Sequence, residues 1–439
     1  MKNDMRSSAL TAVAVGVLLL IAPFLLQSRQ RSQAAVDDPV KTLAGRLDLE
    51  RYKATLRGLA QFGDRRQGTE RNRKAVDWID AQLKSYGCTN TERVKYMYPE
   101  NPVPQAAGAR GGRGAAGAAG AQAAAPRGQV ARGVGGVGRQ AKVVESGEIV
   151  NGPGGSRVYG VSAAVGVNND PNRQPDARLR ELNVEPSKNG PREEVYCTKV
   201  GATHPEEMYI VAGHMDGIGW GEAVNDDGSG TALVMELARI FNMPDVQTDR
   251  SIRFALWNNE ESGLNGARAY VAQRAALQGK EDPPGSKKYP EPRWLGMIQH
   301  DMMMWDHGMP RPDGTWNPEQ RPEADVNIEF QSTSKFADDA MKLAFFFRAA
   351  NEKYATDYPA AVGPHMTNTD SDPFMNLIPA ISFRENERGM QTGGGWNPTW
   401  HQPIDVYSTF SDKDFRLGLN AAQTTLGAVG QLAGAKLKK

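Results

Sequence analysis

The stretch that decides the fold runs from residue 208 to residue 241 and reads MYIVAGHMDGIGWGEAVNDDGSGTALVMELARIF. Its first five residues, Met208 to Ala212, form a short apolar run that is typical of a buried strand. A polar loop follows, and the chain from about Thr231 to Phe241 is predicted to form a helix. A strand, a loop and a helix in this order are the repeating unit of a largely parallel sheet.

The same alternation of strands and helices continues on both sides of this stretch. Further strands are predicted at Val195 to Val200, Ser251 to Trp257, Trp294 to Gln299, Val326 to Phe330 and Ala380 to Phe383. Helices are predicted at Lys74 to Tyr86, Asn265 to Leu277, Lys335 to Tyr354 and after Ser411. We therefore expect an α/β fold, with a mostly parallel central sheet and helices on both faces. In such sheets the reactive groups gather outside the carboxyl ends of the strands.

Polar segments stand where several of these strands end. They are His214 to Asp216, Asn225 to Gly230, Glu260 with Glu261, His300 to Met302, and the later His401 to Asp405. Each segment alone has an ordinary structural explanation: a hydrogen-bonded pair, a turn with a helix cap, or an acidic pair at the start of a helix. Together they supply two imidazoles and three carboxylates. That set suits two zinc ions when one carboxylate bridges them at roughly 3.5–4 Å.

The composition limits the class of protein. Of the 439 residues, 52 are Lys or Arg and 51 are Asp or Glu, and the formal charge of +1 gives no footprint of a nucleic-acid binder. Hydrophobic residues make up 39% and charged residues 23%, which excludes a collagen, a coiled coil and a fully disordered chain. The two cysteines, Cys88 and Cys197, form either one bridge in an oxidising compartment or two separate buried thiols.

Two segments differ from the globular bulk of the chain. Residues 1–35 read as an export signal or an uncleaved anchor, because Lys2 and Arg6 precede an apolar run that ends near Leu26. Residues 105–140 are rich in Gly, Ala and Arg and contain no acidic residue, so we expect a flexible basic insertion there.

The order and spacing of the polar segments resemble the signature of the di-zinc aminopeptidase and glutamate carboxypeptidase family. The resemblance covers about Val195 to Gln431, and Phe62-Gly63-Asp64-Arg65 gives a weaker match nearer the N-terminus. It implies that residues 141–439 are a di-zinc peptidase domain and that residues 36–104 are its N-terminal part. It also implies two Zn²⁺ ions per chain, although mixed imidazole and carboxylate ligands also suit manganese or cobalt.

The same resemblance assigns a role to each candidate residue. It makes Asp226 the bridging carboxylate, with His214 and Asp301 completing one zinc site and Glu261 and His401 completing the other. It makes Glu260 the general base, which takes a proton from the attacking water and later protonates the leaving amine. Asp216 resembles the carboxylate that holds the imidazole of His214 in one tautomer.

Some residues depart from the family pattern or compete with it. Ser371 stands where the family has a histidine, and this leaves the local wall of the pocket undefined. Trp400 precedes His401, where some relatives have a tyrosine that donates to the oxyanion. His300 and His307 are rival ligands, His204 and His365 are expected at the surface or the pocket wall, and Arg384 to Arg388, Trp396 and Trp400 are expected to line either the substrate cleft or a surface loop.

We therefore predict an exported zinc exopeptidase that acts on peptides, with an aminopeptidase favoured, in the periplasm, outside the cell or anchored at the membrane. Three alternatives remain open. A carboxypeptidase would bind the terminal carboxylate of its substrate through Arg384 or Arg388, and a glutaminyl cyclase would use one zinc. A non-catalytic receptor module would be expected to have lost ligands, whereas all five candidate ligands and Glu260 are present.

Overall fold

The structure is a computed structural model that describes residues 38–98, 167–305, 326–364, 369–385, 397 and 399–438, and the backbone of residues 149–151, 157–159, 307–308 and 317–320. The predicted export segment, residues 1–35, and the predicted insertion, residues 105–140, lie outside the described residues. From Pro39 onward the described chain belongs to one compact unit. Within the described ranges, no helix combines the length and the apolar character needed to cross a bilayer.

The regular elements alternate along the chain as the sequence indicates. The helices are α1 (Pro39–Ala44), α2 (Leu49–Ala60), α3 (Glu70–Ser85), α4 (Ala177–Asn183), α5 (Gly228–Phe241), α6 (Asn265–Arg274), α7 (Ala337–Tyr354) and α8 (Asp412–Leu432). The strands are β1 (Glu92–Tyr98), β2 (Ile149–Asn151), β3 (Arg157–Tyr159), β4 (Gly190–Lys199), β5 (His204–His214), β6 (Val246–Gln247), β7 (Arg250–Trp257), β8 (Arg293–His300), β9 (His307–Gly308), β10 (Asn317–Gln320), β11 (Val326–Phe330), β12 (Ala360–Gly363), β13 (Ala380–Arg384) and β14 (Lys436–Leu437).

One large mixed sheet organises these elements. Its eight strands lie in the order β1-β4-β7-β5-β8-β13-β11-β12. Strands β7, β5, β8 and β13 are parallel to one another and form the centre of the sheet. Strand β4 runs antiparallel to β7, and β11 runs antiparallel to β13. The predicted α/β fold with a mostly parallel sheet is therefore confirmed, and the exceptions lie toward its two sides.

Both faces of the sheet are covered by other parts of the protein. Successive residues of a strand point to opposite faces, so neighbouring residues of β5 show what packs on each face. Val211 of β5 packs in the core cluster that contains α5, α7 and α8. Ile210 and Ala212, its neighbours along the strand, pack in a second cluster with Tyr270 of α6. Every residue of α5 is buried, so this helix lies in the interior between the sheet and the other helices on its face.

A disulfide joins Cys88, which follows α3, to Cys197 in β4. Their Cα atoms are 6.0 Å apart, and 109 positions separate them in the sequence. Of the two alternatives that the sequence left open, the structure has the bridge. It fastens the N-terminal helices to the central sheet.

Candidate metal centre

Neighbouring strands deliver candidate ligands to one edge of the sheet. Strand β5 ends at His214, β8 ends just before Asp301, and β7 ends shortly before Glu260. Since β7 and β8 are the parallel neighbours of β5, their carboxyl ends meet at the same edge. Helix α5 begins at Gly228, immediately after the segment that carries Asp226.

Asp226 lies between the two imidazoles. Its Oδ1 is 3.4 Å from Nε2 of His214, and its Oδ2 is 3.1 Å from Nε2 of His401. All three side chains are buried. Each carboxylate oxygen of Asp226 therefore faces a different imidazole, and this is the arrangement that a bridging carboxylate requires.

The other candidates divide between the two sides of Asp226. Oε2 of Glu261 is 2.9 Å from Nε2 of His401, and the ligand atoms of Asp226, Glu261 and His401 all lie within 4.8 Å of one another. On the other side, Oδ1 of Asp301 is 3.8 Å from Nε2 of His214. His214, Glu260 and Asp301 form a second group within the same 4.8 Å limit. All six side chains thus converge at one edge of the sheet.

Asp216 orients His214, but through its main chain. Nδ1 of His214 is 2.9 Å from the carbonyl oxygen of Asp216 and 3.8 Å from its carboxylate. Because a carbonyl only accepts hydrogen bonds, Nδ1 carries the proton and Nε2 is directed toward Asp226 and Asp301. The carboxylate instead accepts the main-chain N–H of Glu260 at 3.0 Å. From the sequence, we assigned the contact with His214 to the carboxylate of Asp216.

The buried carboxylates control the charge of the imidazoles. Burial alone lowers the pKa of His401, but the nearby carboxylates of Glu261 and Asp226 raise that pKa to about 10. Burial raises the pKa of Glu261 to about 7, although His401 acts in the opposite direction. Burial and the neighbouring Glu261 and Asp370 also raise the pKa of Glu260 well above its ordinary value. The clustered carboxyl groups thus disfavour one another's ionised form, and a cation bound among them would favour it.

Asp301 has a fixed cationic partner. Nη2 of Arg384 lies 2.8 Å from Oδ2 of Asp301, while Oδ1 of the same carboxylate faces His214. Burial would raise the pKa of Asp301, but Arg384 and His214 outweigh it and lower that pKa. Asp301 is therefore held as a carboxylate with one oxygen directed into the site.

The donor set fits divalent metal ions. Oε1 of Glu261 and Nδ1 of His401 are buried and have no hydrogen-bond partner within the described residues. A buried polar atom without a partner costs free energy, and a metal ion bound to Glu261 would offset part of the cost at Oε1. Each of the two groups combines imidazole nitrogen and carboxylate oxygen atoms. Both atom types are common ligands of zinc in proteins.

Strained backbone marks the loops of the site. Asn259, Met302 and His401 adopt positive φ angles of 65°, 61° and 56°. Asn259 precedes Glu260, and Met302 follows Asp301. Left-handed conformations of non-glycine residues cost about 1–3 kcal/mol each and occur often at functional sites, where they aim side chains. The strain thus falls beside the side chains that converge.

His300, one of the two rival ligands, takes no part in the cluster. Nδ1 of His300 contacts the carbonyl oxygen of Ala212 at 3.0 Å, and its Nε2 contacts the hydroxyl of Thr425 at 2.8 Å. Both ring nitrogens are therefore occupied in the core.

His204 is exposed, as expected for a surface residue. The side chains of His307 and His365, and those of Arg388 and Trp396 that were expected to line the cleft, lie outside the described residues.

Ser371 fills the place of the expected histidine. Its hydroxyl lies 2.6 Å from the hydroxyl of Ser382 on β13, and both side chains are buried. This pair ties the 371 segment to the sheet. The departure from the family pattern is thus accommodated by a hydrogen bond to the sheet.

Two further buried carboxylates hold the site together. From the sequence, we assigned no role to Asp227 and expected Glu385 only within the stretch Arg384 to Arg388, which was to line the substrate cleft or a surface loop. Asp227 accepts the main-chain N–H groups of His214 at 3.0 Å and Met302 at 3.2 Å. Glu385 accepts the side chain of Asn225 at 2.8 Å and the N–H of Trp305 at 2.8 Å. Asp227 could have been noticed as the second member of the Asp226-Asp227 pair, but no local pattern marks Glu385.

The fold is that of the zinc aminopeptidases. A solved structure of a zinc aminopeptidase from Bacillus subtilis superposes with a TM-score of 0.52 at 13% sequence identity, and the match covers 90% of this chain and 96% of that one. The model of peptidase family M28 matches residues 194–423, more than half of the chain. The chain belongs to peptidase family M28.

Curated relatives match a short part of the sequence. Aminopeptidase YwaD of Bacillus subtilis is 40% identical over 68 residues, which are 16% of this chain and 14% of the relative. Carboxypeptidase Q of Xenopus laevis is 35% identical over 71 residues, which are 16% of this chain and 15% of the relative. The matches therefore span less than a fifth of the length of either relative.

Proposed function

We propose that this chain is a zinc-dependent exopeptidase that holds two zinc ions and releases N-terminal residues from peptides. The observation that carries the proposal is the position of Asp226, whose two carboxylate oxygens face His214 and His401. A carboxylate shared in this way suits a pair of metal ions. Membership of a peptidase family and the likeness to an aminopeptidase support peptides as the substrate class.

The proposed ligands follow the two groups of side chains. Asp226 would be shared, His214 and Asp301 would hold one zinc, and Glu261 and His401 would hold the other. When bound, the zinc ions polarise the peptide carbonyl and lower the pKa of the attacking water. Other divalent ions suit the same ligands, so zinc is proposed from the donor types and from the printed name of the related structure.

Glu260 is proposed as the general base. It lies beside His214 and Asp301 and belongs to the group of close side chains. Its carboxylate would take a proton from the attacking water and then transfer that proton to the leaving amine. Asp216 would hold Glu260 in place, because it accepts the main-chain N–H of that residue at 3.0 Å.

A carboxypeptidase is the second candidate, because carboxypeptidase Q is among the relatives. Such an enzyme needs a cation for the terminal carboxylate of its substrate. Arg384 is 4% exposed and is already paired with Asp301 at 2.8 Å. This engagement disfavours Arg384 as that cation, whereas Arg388, the other candidate, lies outside the described residues.

We further propose that the chain is exported. The charged and apolar N-terminal residues and the disulfide both support a location outside the reducing cytoplasm. Residues 1–35 would direct export or anchor the chain, and residues 36–104 and 141–439 would form one peptidase domain interrupted by the insertion at 105–140. The proposed locations are the periplasm, the extracellular space or the membrane surface.

Metal analysis combined with a peptide screen tests the proposal. We expect two zinc ions per purified chain, and hydrolysis of peptides with a free amine even when the C-terminus is amidated. Hydrolysis that survives N-acetylation but is lost on amidation would make the enzyme a carboxypeptidase. One zinc per chain with ammonia released from N-terminal glutamine would identify a glutaminyl cyclase. Two zinc ions without hydrolysis of any peptide would leave a non-catalytic module.

A further inference from the structure

The loop from Met215 to Asp226 has no regular secondary structure. It leads from one proposed metal ligand, His214, to another, Asp226. Two of its non-glycine residues, Trp220 and Ala223, have positive φ angles of 65° and 48°. The main-chain N–H and C=O groups of such a buried loop must find partners elsewhere in the protein. The position of Asp226 therefore depends on the groups that supply them.

Asp405 accepts a series of N–H groups from this loop. Its Oδ1 accepts Val224 at 3.1 Å and Asn225 at 2.9 Å, and its Oδ2 accepts Asp226 at 3.1 Å. Its carbonyl oxygen accepts the N–H of Glu222 at 2.8 Å. Asp405 is 1% exposed, so water does not compete for these contacts. The four N–H groups that it accepts hold the main chain from Glu222 to Asp226 in place.

Arg65 binds the carbonyl groups of the same loop. Its Nε donates to Met215 at 2.7 Å, its Nη1 to Glu222 at 2.7 Å and its Nη2 to Ala223 at 2.7 Å. The side chain is fully buried. One planar guanidinium thus spans the loop from its first residue to the residues just before Asp226, which a lysine with its single nitrogen cannot do.

The geometry points to Asp405 and Arg65 as a pair of positioning residues that hold Asp226 between the two imidazoles before any metal binds. Asp405 lies four positions after His401, so the same carboxylate also couples the loop of His401 to the loop of Asp226. This inference rests on the proposed two-zinc function. Because Asp226 belongs to both proposed sites, loosening its loop weakens both zinc sites together.

The test measures zinc affinity, by competition with a chelator of known affinity, in the full chain and in Asp405→Asn. The variant keeps the size of the side chain but replaces an acceptor oxygen by an NH₂ group that faces N–H donors. We expect both zinc ions to bind about 10–100-fold more weakly, the usual effect of removing a partner of a metal ligand. Asp77→Asn, on the exposed face of α3, is the matched control and keeps the affinity of the unmodified chain.

The thermal midpoint of the metal-free protein separates positioning from general destabilisation. A positioning role predicts a midpoint near that of the unmodified chain, with the change confined to zinc affinity. Arg65→Lys, compared with the exposed Arg73→Lys, repeats the measurement if Asp405→Asn does not fold. Zinc affinity within about twofold of the unmodified protein in a folded variant would overturn the inference. If the unmodified chain binds no zinc, the proposed function fails instead.

Discussion

Glu260 and Glu261 are adjacent in the chain but face different parts of the site. Glu261 contacts His401 at 2.9 Å, whereas Glu260 groups with His214 and Asp301. Neighbouring residues point in different directions, so one can bind a metal while the other handles protons. The left-handed conformation of Asn259 just before them sets the course of the chain into this turn.

We predict that Glu260→Gln retains two zinc ions but lowers kcat by about 10²–10⁴, because the amide cannot accept the proton of the attacking water. Metal content and steady-state hydrolysis of a free-amine peptide check this. Glu352→Gln, on the exposed side of α7, serves as the control and keeps full activity. Full activity in Glu260→Gln with two zinc ions bound would rule out the role.

His300 differs from the two imidazoles of the site because, in the described part of the chain, its ring contacts a carbonyl and a hydroxyl and not a carboxylate. Its Nδ1 faces a carbonyl oxygen, so Nδ1 carries the proton and Nε2 accepts the hydroxyl of Thr425. Burial lowers the pKa of His300 to about 4. The neutral ring stabilises the fold above pH 6.5, and that stabilisation is lost as the pH falls from 6.5 toward 4, because the unfolded chain gains a proton that the folded chain excludes.

This predicts a pH-dependent difference between the unmodified chain and His300→Gln. Both are unfolded with urea at pH 7 and pH 5 in the presence of a chelator. Because the two chains differ only at residue 300, the contributions of the other titrating groups to stability cancel in the comparison. We expect the stability advantage of the unmodified chain to shrink at pH 5 by on the order of 1–2 kcal/mol. An equal advantage at both pH values contradicts the prediction.

At the scale of elements, α5 approaches the sheet edge so closely that no space remains for a side chain at Gly230, its third residue. A Cβ atom at Gly230 would lie 2.4 Å from the carbonyl oxygen of His300 and 2.6 Å from the carboxylate of Asp227. Neither group can move freely, because the first belongs to β8 and the second anchors the main chain of His214. This glycine therefore sets how closely the helix packs on the strands that carry the ligands.

We predict that Gly230→Ala lowers the free energy of unfolding by about 1–3 kcal/mol, since it overfills a packed site. Urea unfolding measures the change. Gly45→Ala is the control, because its Cβ would meet nothing closer than 3.5 Å, and its stability stays within about 0.5 kcal/mol of the unmodified chain. Equal stability of the two variants would show that the helix can shift without cost.

The sequence predicts elements better than it predicts their pairing. The apolar run of β5 and the helix that follows depend on neighbouring residues, so their positions were predicted, although β5 extends to His204 at one end and His214 at the other. The reversed directions of β4 and β11 depend on partners far along the chain. Local patterns do not contain that information.

The same distinction applies to the candidate site. The five proposed ligands and Glu260 fall in segments whose order is recognisable. The parallel strands explain why His214, Glu260 and Asp301 meet at one edge. The supporting contacts are not recognisable in this way: Asp227 reaches residues 13 and 75 positions away, and Glu385 reaches Asn225 at a separation of 160. Only the folded chain shows these hydrogen bonds.

At the scale of the whole molecule, the disulfide connects the N-terminal helices to the sheet across 109 positions. A bridge that closes a loop of this length restricts the unfolded chain. We predict that replacing both Cys88 and Cys197 by serine lowers the free energy of unfolding by about 2–5 kcal/mol. Denaturant unfolding with and without a reductant checks this. The unmodified chain should respond to the reductant and the variant should not, and an unmodified chain that ignores the reductant would contradict the prediction.

The disulfide also determines what a protease can separate. Residues 105–140, with their five arginines, lie between the two cysteines, so trypsin has cleavage points inside the loop that the bridge closes. A chain severed there stays a single covalent species, and its two pieces migrate together on a denaturing gel until a thiol is added. A single cut at this place adds two chain ends without releasing a fragment, because the bridge retains both pieces.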